Sequence, residues 1–343
     1  MYDDKTHFAS LYQNTPGAFA FENHKYDSWM AWQQAFRQRL REILGLAILT
    51  NDLADYQPAV QCDQTEDMGN YYREYWHIWT EPTVPLPFYL LRPKIKGPFP
   101  LVLTPHGHNH PYVYVGVAHN EVEKLSIQNG ERDIAVQAVE QGYLAIAPTT
   151  RAFGETRTSQ DKDENAVHSC RTQLMHDLLV GRTPIGDRVW DISTILTWAL
   201  HNLDIDAQRV AITGNSGGGT ISLFAAACDD RISVAVPSSY FCTFVGSIGS
   251  IYHCGCNYVP GILRLGEMYD VAGLIVPRPF CAISGKDDPI FPIHETKRAF
   301  QKLKDIYTAA GVPEMCELYV GHEGHRYYKA GSWPFIQKHF RDI

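Results

Sequence analysis

The feature that most restricts the fold is the run from Arg209 to Thr220, in which Val210-Ala211-Ile212-Thr213 leads straight into Gly214-Asn215-Ser216-Gly217-Gly218. The apolar, partly β-branched residues read as a buried strand. Behind the glycines, Ile221-Ser222-Leu223-Phe224-Ala225-Ala226-Ala227 reads as a helix. A strand joined to a helix by so short a G-x-S-x-G turn must hold its serine in a strained backbone conformation. Glycine is needed at 214 and 218, where side chains would meet the neighbouring strand and helix. The turn leaves the Ser216 hydroxyl exposed at the positive end of a helix. A phosphate-cradling loop is the competing reading, but the lysine of G-x-x-x-x-G-K-[ST] does not follow.

The remainder of the chain supplies the setting such a turn requires. A helix is expected from about Tyr26 to Leu46, with Trp29, Trp32, Phe36, Leu40, Ile43 and Leu44 on one apolar face. Residues 71–79 and 85–91 are rich in β-formers and bounded by prolines, and predict two early antiparallel strands. Phe99–Thr104 predicts a third, buried strand. Beyond it, helices and strands alternate: helix 134–141, strand 143–147, helix 189–203, the strand before Ser216, and strands at 232–236, 280–284 and 316–320. Alternation of this kind predicts an α/β fold with a mainly parallel central sheet flanked by helices. Together with the serine turn it resembles the α/β-hydrolase fold. The expected layout is a single domain over 1–343. Residues 1–68 would form a helical N-terminal extension and 69–343 the catalytic core. Two long segments, 152–186 and 239–276, break the rhythm. Insertions after strands lie over the carboxyl end of the sheet, so both are expected to form the pocket and its lid-like cover.

Composition narrows the partners. The net charge is −8 over 343 residues with no basic block, which argues against nucleic acid. No stretch reaches the ~18 apolar residues of a membrane helix, and Met1-Tyr2-Asp3-Asp4-Lys5 does not open a secretory signal, so a cytoplasmic protein is expected. Eight scattered cysteines do not resemble a disulfide framework, and Cys228, Cys242, Cys281 and Cys316 read as buried thiols. The expected partner is a small-molecule ester, and a homo-oligomer is left open.

A serine hydroxyl needs a base to take its proton, and the base needs an acid to orient it. In this fold the acid and then the histidine follow the serine in the chain. The strand ending at Ser284 runs into Gly285-Lys286-Asp287-Asp288, with Pro292 beyond. Asp287 and Asp288 compete. The G-x-x-D-x-x-x-P spacing, which resembles that of the fold, favours Asp288, and the other carboxylate would cap the following helix. After the last strand comes Gly321-His322-Glu323-Gly324-His325. His322 and His325 compete, and His325, ahead of an aromatic-rich helix, is favoured.

The oxyanion formed on attack needs two backbone donors. One is the N–H of Gly217. The other should lie in Pro105-His106-Gly107-His108-Asn109-His110, where the N–H of His108 is the candidate. The same loop has a rival reading as a metal cluster of His106, His108 and His110. Pro111 follows where a metallo-hydrolase signature would place Asp-His, and neither a metal nor a cofactor is expected. Arg151 lies at the carboxyl edge, either touching substrate or bracing loops through an Arg–Glu pair. His106, Arg151, Glu155, Tyr240, Cys254 and Tyr258 are the expected pocket residues. The C-x-C within His253-Cys254-Gly255-Cys256-Asn257-Tyr258-Val259-Pro260 lacks a second cysteine pair, and the segment reads as a pocket-lining turn rather than a metal motif.

From about residue 84 onward the chain resembles serine esterases of the α/β-hydrolase superfamily, in particular the acetyl xylan esterase/cephalosporin-C deacetylase-like and dienelactone-hydrolase-like branches. The resemblance rests on His106-Gly107, Arg151-x-Phe153-Gly154-Glu155, Gly214-Asn215-Ser216-Gly217-Gly218-Gly219, Ile275-Val276-Pro277-Arg278-Pro279, Asp288 and Gly324-His325. It implies nucleophile, acid and base roles for Ser216, Asp288 and His325. The deacetylases usually carry Gln where this chain has Gly217, and their Arg-Gly-Gln loop is Arg151-Ala152-Phe153 here. Dienelactone hydrolases use cysteine at the turn, where this chain has Ser216. The expected activity is that of a serine carboxylesterase acting on a small ester, such as an acylated sugar. A prolyl-oligopeptidase-type peptidase shares the triad, but residues 1–80 are too short for its propeller. A non-catalytic homologue would usually lack a triad member.

Overall fold

In the computed structural model, which describes residues 1–23 and 25–341, nine strands form one sheet. They are β1 (Val60–Asp67), β2 (Tyr71–Glu81), β3 (Val84–Pro93), β4 (Phe99–Leu103), β5 (Leu144–Pro148), β6 (Ile205–Asn215), β7 (Val234–Ser238), β8 (Phe280–Gly285) and β9 (Cys316–Gly321). Their order across the sheet is β1-β2-β3-β5-β4-β6-β7-β8-β9. The pairs β1–β2, β2–β3 and β3–β5 are antiparallel, and every pair from β5 to β9 is parallel.

The period-two alternation of a strand divides the core between the two faces. Leu101 and Leu103 of β4 and Ile212 of β6 enter one buried cluster, while Val102 and Ala211 between them enter the other. The first cluster packs under the helices Trp29–Ile43, Pro184–Asn202 and Gly217–Cys228. The second lies under Ile134–Glu140 and Lys329–Arg341. With both faces covered, β5, β7 and β8 are buried along their whole length.

The N-terminal extension docks by the face its periodicity marks. Ser28 caps the helix Trp29–Ile43, and Trp32, Phe36 and Leu40 are buried. Gln33 Nε2 donates to the carbonyls of Gly273 (2.7 Å) and Val276 (2.8 Å), and Arg37 Nη2 to that of Leu274 (2.7 Å). The extension is not helical throughout, however. Residues 60–67 form β1, an edge strand that is mostly exposed and polar. It lacks the apolar alternation that marks a half-buried strand, and its ladder with β2 holds it.

Because β4 lies between β5 and β6, the connection from β4 runs one way to β5 and that from β5 returns past β4 to β6, and such a reversal of direction opens a crevice at the carboxyl ends of the strands. The loop after β4 and the serine turn after β6 meet at this crevice. The segments 152–186 and 239–276 supply short helices, Ser159–Asp163 and Cys170–Leu179 in the first, Ile262–Leu265 and Met268–Gly273 in the second. A small cluster of Ala152, Phe153, Cys170 and Cys256 packs the two segments together. Among the described residues no helix is long and apolar enough to cross a membrane.

Candidate active site

Ser216 directly follows β6, with φ 59° and ψ −118°, a conformation a non-glycine residue rarely adopts. Its N–H donates to the Ser238 carbonyl (2.8 Å), and its own carbonyl accepts from Thr220 N–H (2.9 Å), the first turn of the buried helix Gly217–Cys228. The flanking glycines are required by backbone contact. A Cβ at 214 would lie 2.3 Å from the Pro105 carbonyl oxygen, and one at 218 would lie 2.1 Å from it. The loop after β4 thus presses directly on the turn. Gly107 completes the contact, since a Cβ there would meet the Asn215 carbonyl oxygen at 2.7 Å and Gly217 N at 3.0 Å. The Gly217 N–H heads a helix, and the His106–Asn109 backbone runs alongside it. This is the arrangement in which two N–H groups can receive a developing oxyanion.

At the ends of β8 and β9, Asp288 Oδ2 lies 2.8 Å from His325 Nδ1. The other oxygen, Oδ1, accepts from Ile290 N–H (2.9 Å) and Phe291 N–H (3.1 Å). The Asp288 side chain is fully buried and that of His325 is 16% exposed, so the pair is held at the edge of solvent. The His325 ring also stacks on Phe291 at 5.9 Å between centroids. Of the competing residues, Asp287 is exposed, and His322 is 84% exposed beside Glu323.

Ser216 and His325 face one cavity of about 330 Å³, shared with His108, Asn109, Asn215, His253, Cys254 and Ile290. His253 opens the turn expected to line the pocket, whereas Asn109 and Ile290 were not singled out in the sequence. Proximity to the H-G pair is the signal that could have raised Asn109.

Of the expected pocket residues, only Cys254 lines this cavity. His106 is 1% exposed and structural: Thr150 N–H donates to its Nε2 (2.9 Å), and its Nδ1 donates to the Gly107 carbonyl (2.8 Å). Burial pushes its pKa down to about 3, which keeps the ring neutral. Arg151 is a brace. Its Nε and Nη2 clamp Asp191 at 2.8 and 2.6 Å, and Nη1 reaches Asp187 (3.2 Å) and Glu81. The carboxylates that hold it thus come from β2 and the helix Pro184–Asn202. Burial raises the pKa of Glu81, but Arg182 and Arg151 outweigh it and bring the value to about 2. Glu155 instead accepts from the Tyr75 hydroxyl (2.6 Å), and with Arg151 it borders a separate cavity of about 700 Å³ that Ser216 does not line. Tyr240 is fully buried edge-on to Phe291, and Tyr258 donates its hydroxyl to the Ile248 carbonyl (3.1 Å). Neither residue lines the cavity: Tyr240 is packed in the core, and Tyr258 is partly exposed on the insertion's surface.

The three histidines of the loop do not converge. His106 is bound to Thr150, and His110 stacks on Tyr112 at 4.9 Å between centroids. His108 turns instead to sulfur, with Nε2 3.6 Å from Cys256 Sγ and 4.0 Å from Cys170 Sγ. Burial disfavours its imidazolium, and the Cys170 and Cys256 sulfurs outweigh burial, taking its pKa up to about 9.

Known proteins resemble this chain to different depths. The chain is 25% identical over 246 residues to "Putative hydrolase YtaP" of Bacillus subtilis (strain 168), which covers 70% of this chain and 77% of that protein. A structure from Bacteroides fragilis NCTC 9343, described as a putative acetyl xylan esterase, superposes with a TM-score of 0.76 at 18% identity, over 97% of this chain and 84% of that one. A glucuronoyl esterase from Solibacter usitatus follows with a TM-score of 0.65 at 12% identity, over 94% of this chain and 96% of that one. At these identities the structures establish a common α/β-hydrolase fold. Membership is established by a model that spans sheet, serine turn and both downstream strand ends: it matches residues 8–330, and the chain belongs to the Abhydrolase family.

Proposed function

We propose that the protein is a serine carboxylesterase that removes a small acyl group from an acylated sugar. One observation carries this reading. The buried Asp288 carboxylate is bonded to His325, and His325 faces the same cavity as Ser216 on its strained turn. Three groups with the right chemistry, from three strand ends, have no shared structural task that would account for their meeting.

In the proposed reaction Ser216 Oγ attacks the ester carbonyl while His325 Nε2 takes its proton. Asp288 accepts from Nδ1–H, which fixes the tautomer and stabilises the imidazolium. The N–H groups of Gly217 and His108 receive the oxyanion, aided by the N-terminal dipole of the helix behind Ser216. His325 then protonates the departing alcohol. Water, deprotonated by the same imidazole, releases the acyl group and frees the serine. A cavity of about 330 Å³ is at the small end of ligand sites, roughly 300–1,000 Å³, and suits a short acyl chain. The esterase names of the structural neighbours supply the first substrates to try, acetylated xylo-oligosaccharides and glucuronoyl esters.

The test is hydrolysis of p-nitrophenyl acetate together with labelling by a fluorophosphonate probe. Ser216→Ala should abolish both while leaving the circular dichroism spectrum unchanged. Undiminished turnover in that variant overturns the mechanism, and failure of the native protein to react with the probe would mark a non-catalytic homologue.

A further inference from the structure

Beside the serine cavity the fold gathers a set of soft ligands from segments far apart in the chain. His108 comes from the loop after β4, His168 and Cys170 from the first insertion, and Cys254 from the second. Their ligating atoms all lie within 4.8 Å of one another. We propose that His108, His168, Cys170 and Cys254 bind one zinc-like divalent ion that ties both insertions to the loop beside Ser216.

Geometry and chemistry agree on the class of ion. Zn–S bonds of about 2.3 Å and Zn–N bonds of about 2.0–2.1 Å set tetrahedral ligand atoms roughly 3.3–3.8 Å apart. Side-chain movements of about 1 Å would therefore close the set around an ion. Two thiolates and two imidazoles with no carboxylate select zinc over magnesium or calcium. Four protein ligands leave no open position, so the ion would hold structure and not activate water.

The surroundings support a negatively charged sulfur cluster. Arg188 is 3% exposed, yet among the described residues it has no carboxylate within 4.0 Å, whereas Arg151 nearby has three. Its Nη2 donates to the Arg151 carbonyl at 3.0 Å and to Cys170 Sγ at 3.6 Å. A buried guanidinium without an anion would be costly, and the sulfurs are the groups that can supply the charge. Cys256, 3.3 Å from Cys254 Sγ, adds a further thiol at the edge of the set. On binding, Cys170 and Cys254 each lose a thiol proton to solvent, and His108 gives up its ring proton to bind as the neutral imidazole. The two thiolates then cancel the charge of the ion.

The test uses the full chain, stripped with chelator under reducing conditions and titrated with Co²⁺ and Zn²⁺. The native protein should take up one ion per chain. Cobalt should show the visible bands of a tetrahedral site with ultraviolet thiolate charge transfer, and zinc should raise Tm. Cys254→Ser and His168→Gln should each weaken binding by about tenfold or more, whereas Cys62→Ser, at an exposed thiol elsewhere, should bind as the native protein does. His168 is only half-buried, so its variant should fold even if Cys254→Ser does not. An octahedral cobalt spectrum, uptake unaffected by both variants, or a Cys254–Cys256 disulfide found by mass spectrometry in protein purified without reductant and refractory to zinc would overturn the proposal.

Discussion

Replacing Asp288 by Asn isolates the role of the carboxylate, because the structure dictates how the amide must sit. Asp288 Oδ1 accepts from two backbone donors, Ile290 N–H and Phe291 N–H. An asparagine that turned its NH₂ toward them would oppose donor to donor and leave both unpaired, at about 1–3 kcal/mol each. The amide oxygen therefore stays on the backbone, and the NH₂ faces His325 Nδ1, which it meets at the site of the present 2.8 Å contact. A donor there makes Nδ1 an acceptor and moves the ring proton to Nε2. In that tautomer His325 cannot take a proton from Ser216. The same tautomer error in a serine-protease triad costs about 10⁴ in kcat, or about 5.5 kcal/mol at about 1.4 kcal/mol per tenfold. The assay is the steady-state hydrolysis of p-nitrophenyl acetate at pH 7.5. We expect kcat to fall by about 10⁴ with KM little changed. Asp287→Asn, at an exposed position, should stay within about twofold of native. An Asp288→Asn enzyme that keeps more than about a hundredth of native kcat, or a larger loss in Asp287→Asn, would refute the assignment.

Three further outcomes follow from the architecture. His106 has a folded pKa of about 3 against 6.5 for a free imidazole, so the stability tied to its neutral form is complete above pH 6.5 and is lost as pH falls toward 3. The slope is at most about 1.4 kcal/mol per pH unit, so the stability deficit of His106→Asn in urea unfolding should shrink by about 2–3 kcal/mol between pH 7.5 and 4.5; parallel profiles would count against the buried neutral ring. Gly218→Ala places a methyl 2.1 Å from the Pro105 carbonyl oxygen. It should cost about 1–3 kcal/mol or more and reduce esterase activity by pushing the oxyanion loop away, readable as lower Tm and kcat together. Arg151→Ala strands the buried Asp191, which loses both of its guanidinium contacts, while Arg182 still serves Glu81 and Asp187. A loss of about 3–5 kcal/mol in thermal or urea unfolding is expected, and a change under about 0.5 kcal/mol would deny Arg151 its bracing role.

The relation between chain and site differs from residue to residue. The serine turn was legible because its constraints are local: a β-branched run, two glycines that a backbone carbonyl approaches, and an alanine-rich helix are adjacent in sequence. Asp288 and His325 were legible at one remove, since each follows a strand whose apolar run marks its end. The choice between Asp287 and Asp288 is different in kind. It depends on which carboxylate turns under the Ile290 and Phe291 amides, a matter of side-chain direction that both neighbours share equally in sequence.

Residues 60–67 show the limit of pattern for secondary structure. Their exposed, polar composition carries no period, and only the partner strand β2 makes them a strand. His106, Arg151, Glu155, Tyr240 and Tyr258 show it for the pocket: hydrogen bonds, ion pairs or packing elsewhere in the fold turn them away from Ser216. Cys170 and Cys254 are separated by the helix Pro184–Asn202, β6, the serine turn, the helix Gly217–Cys228 and β7, so no spacing could announce their meeting with His108 and His168. The sequence by itself determined the layered α/β architecture and the three strand ends at which Ser216, Asp288 and His325 lie, because backbone propensity and burial period act over a few residues. The tertiary structure alone decided the cavity lining and the sulfur–imidazole cluster, because those depend on how two long insertions fold back across the sheet.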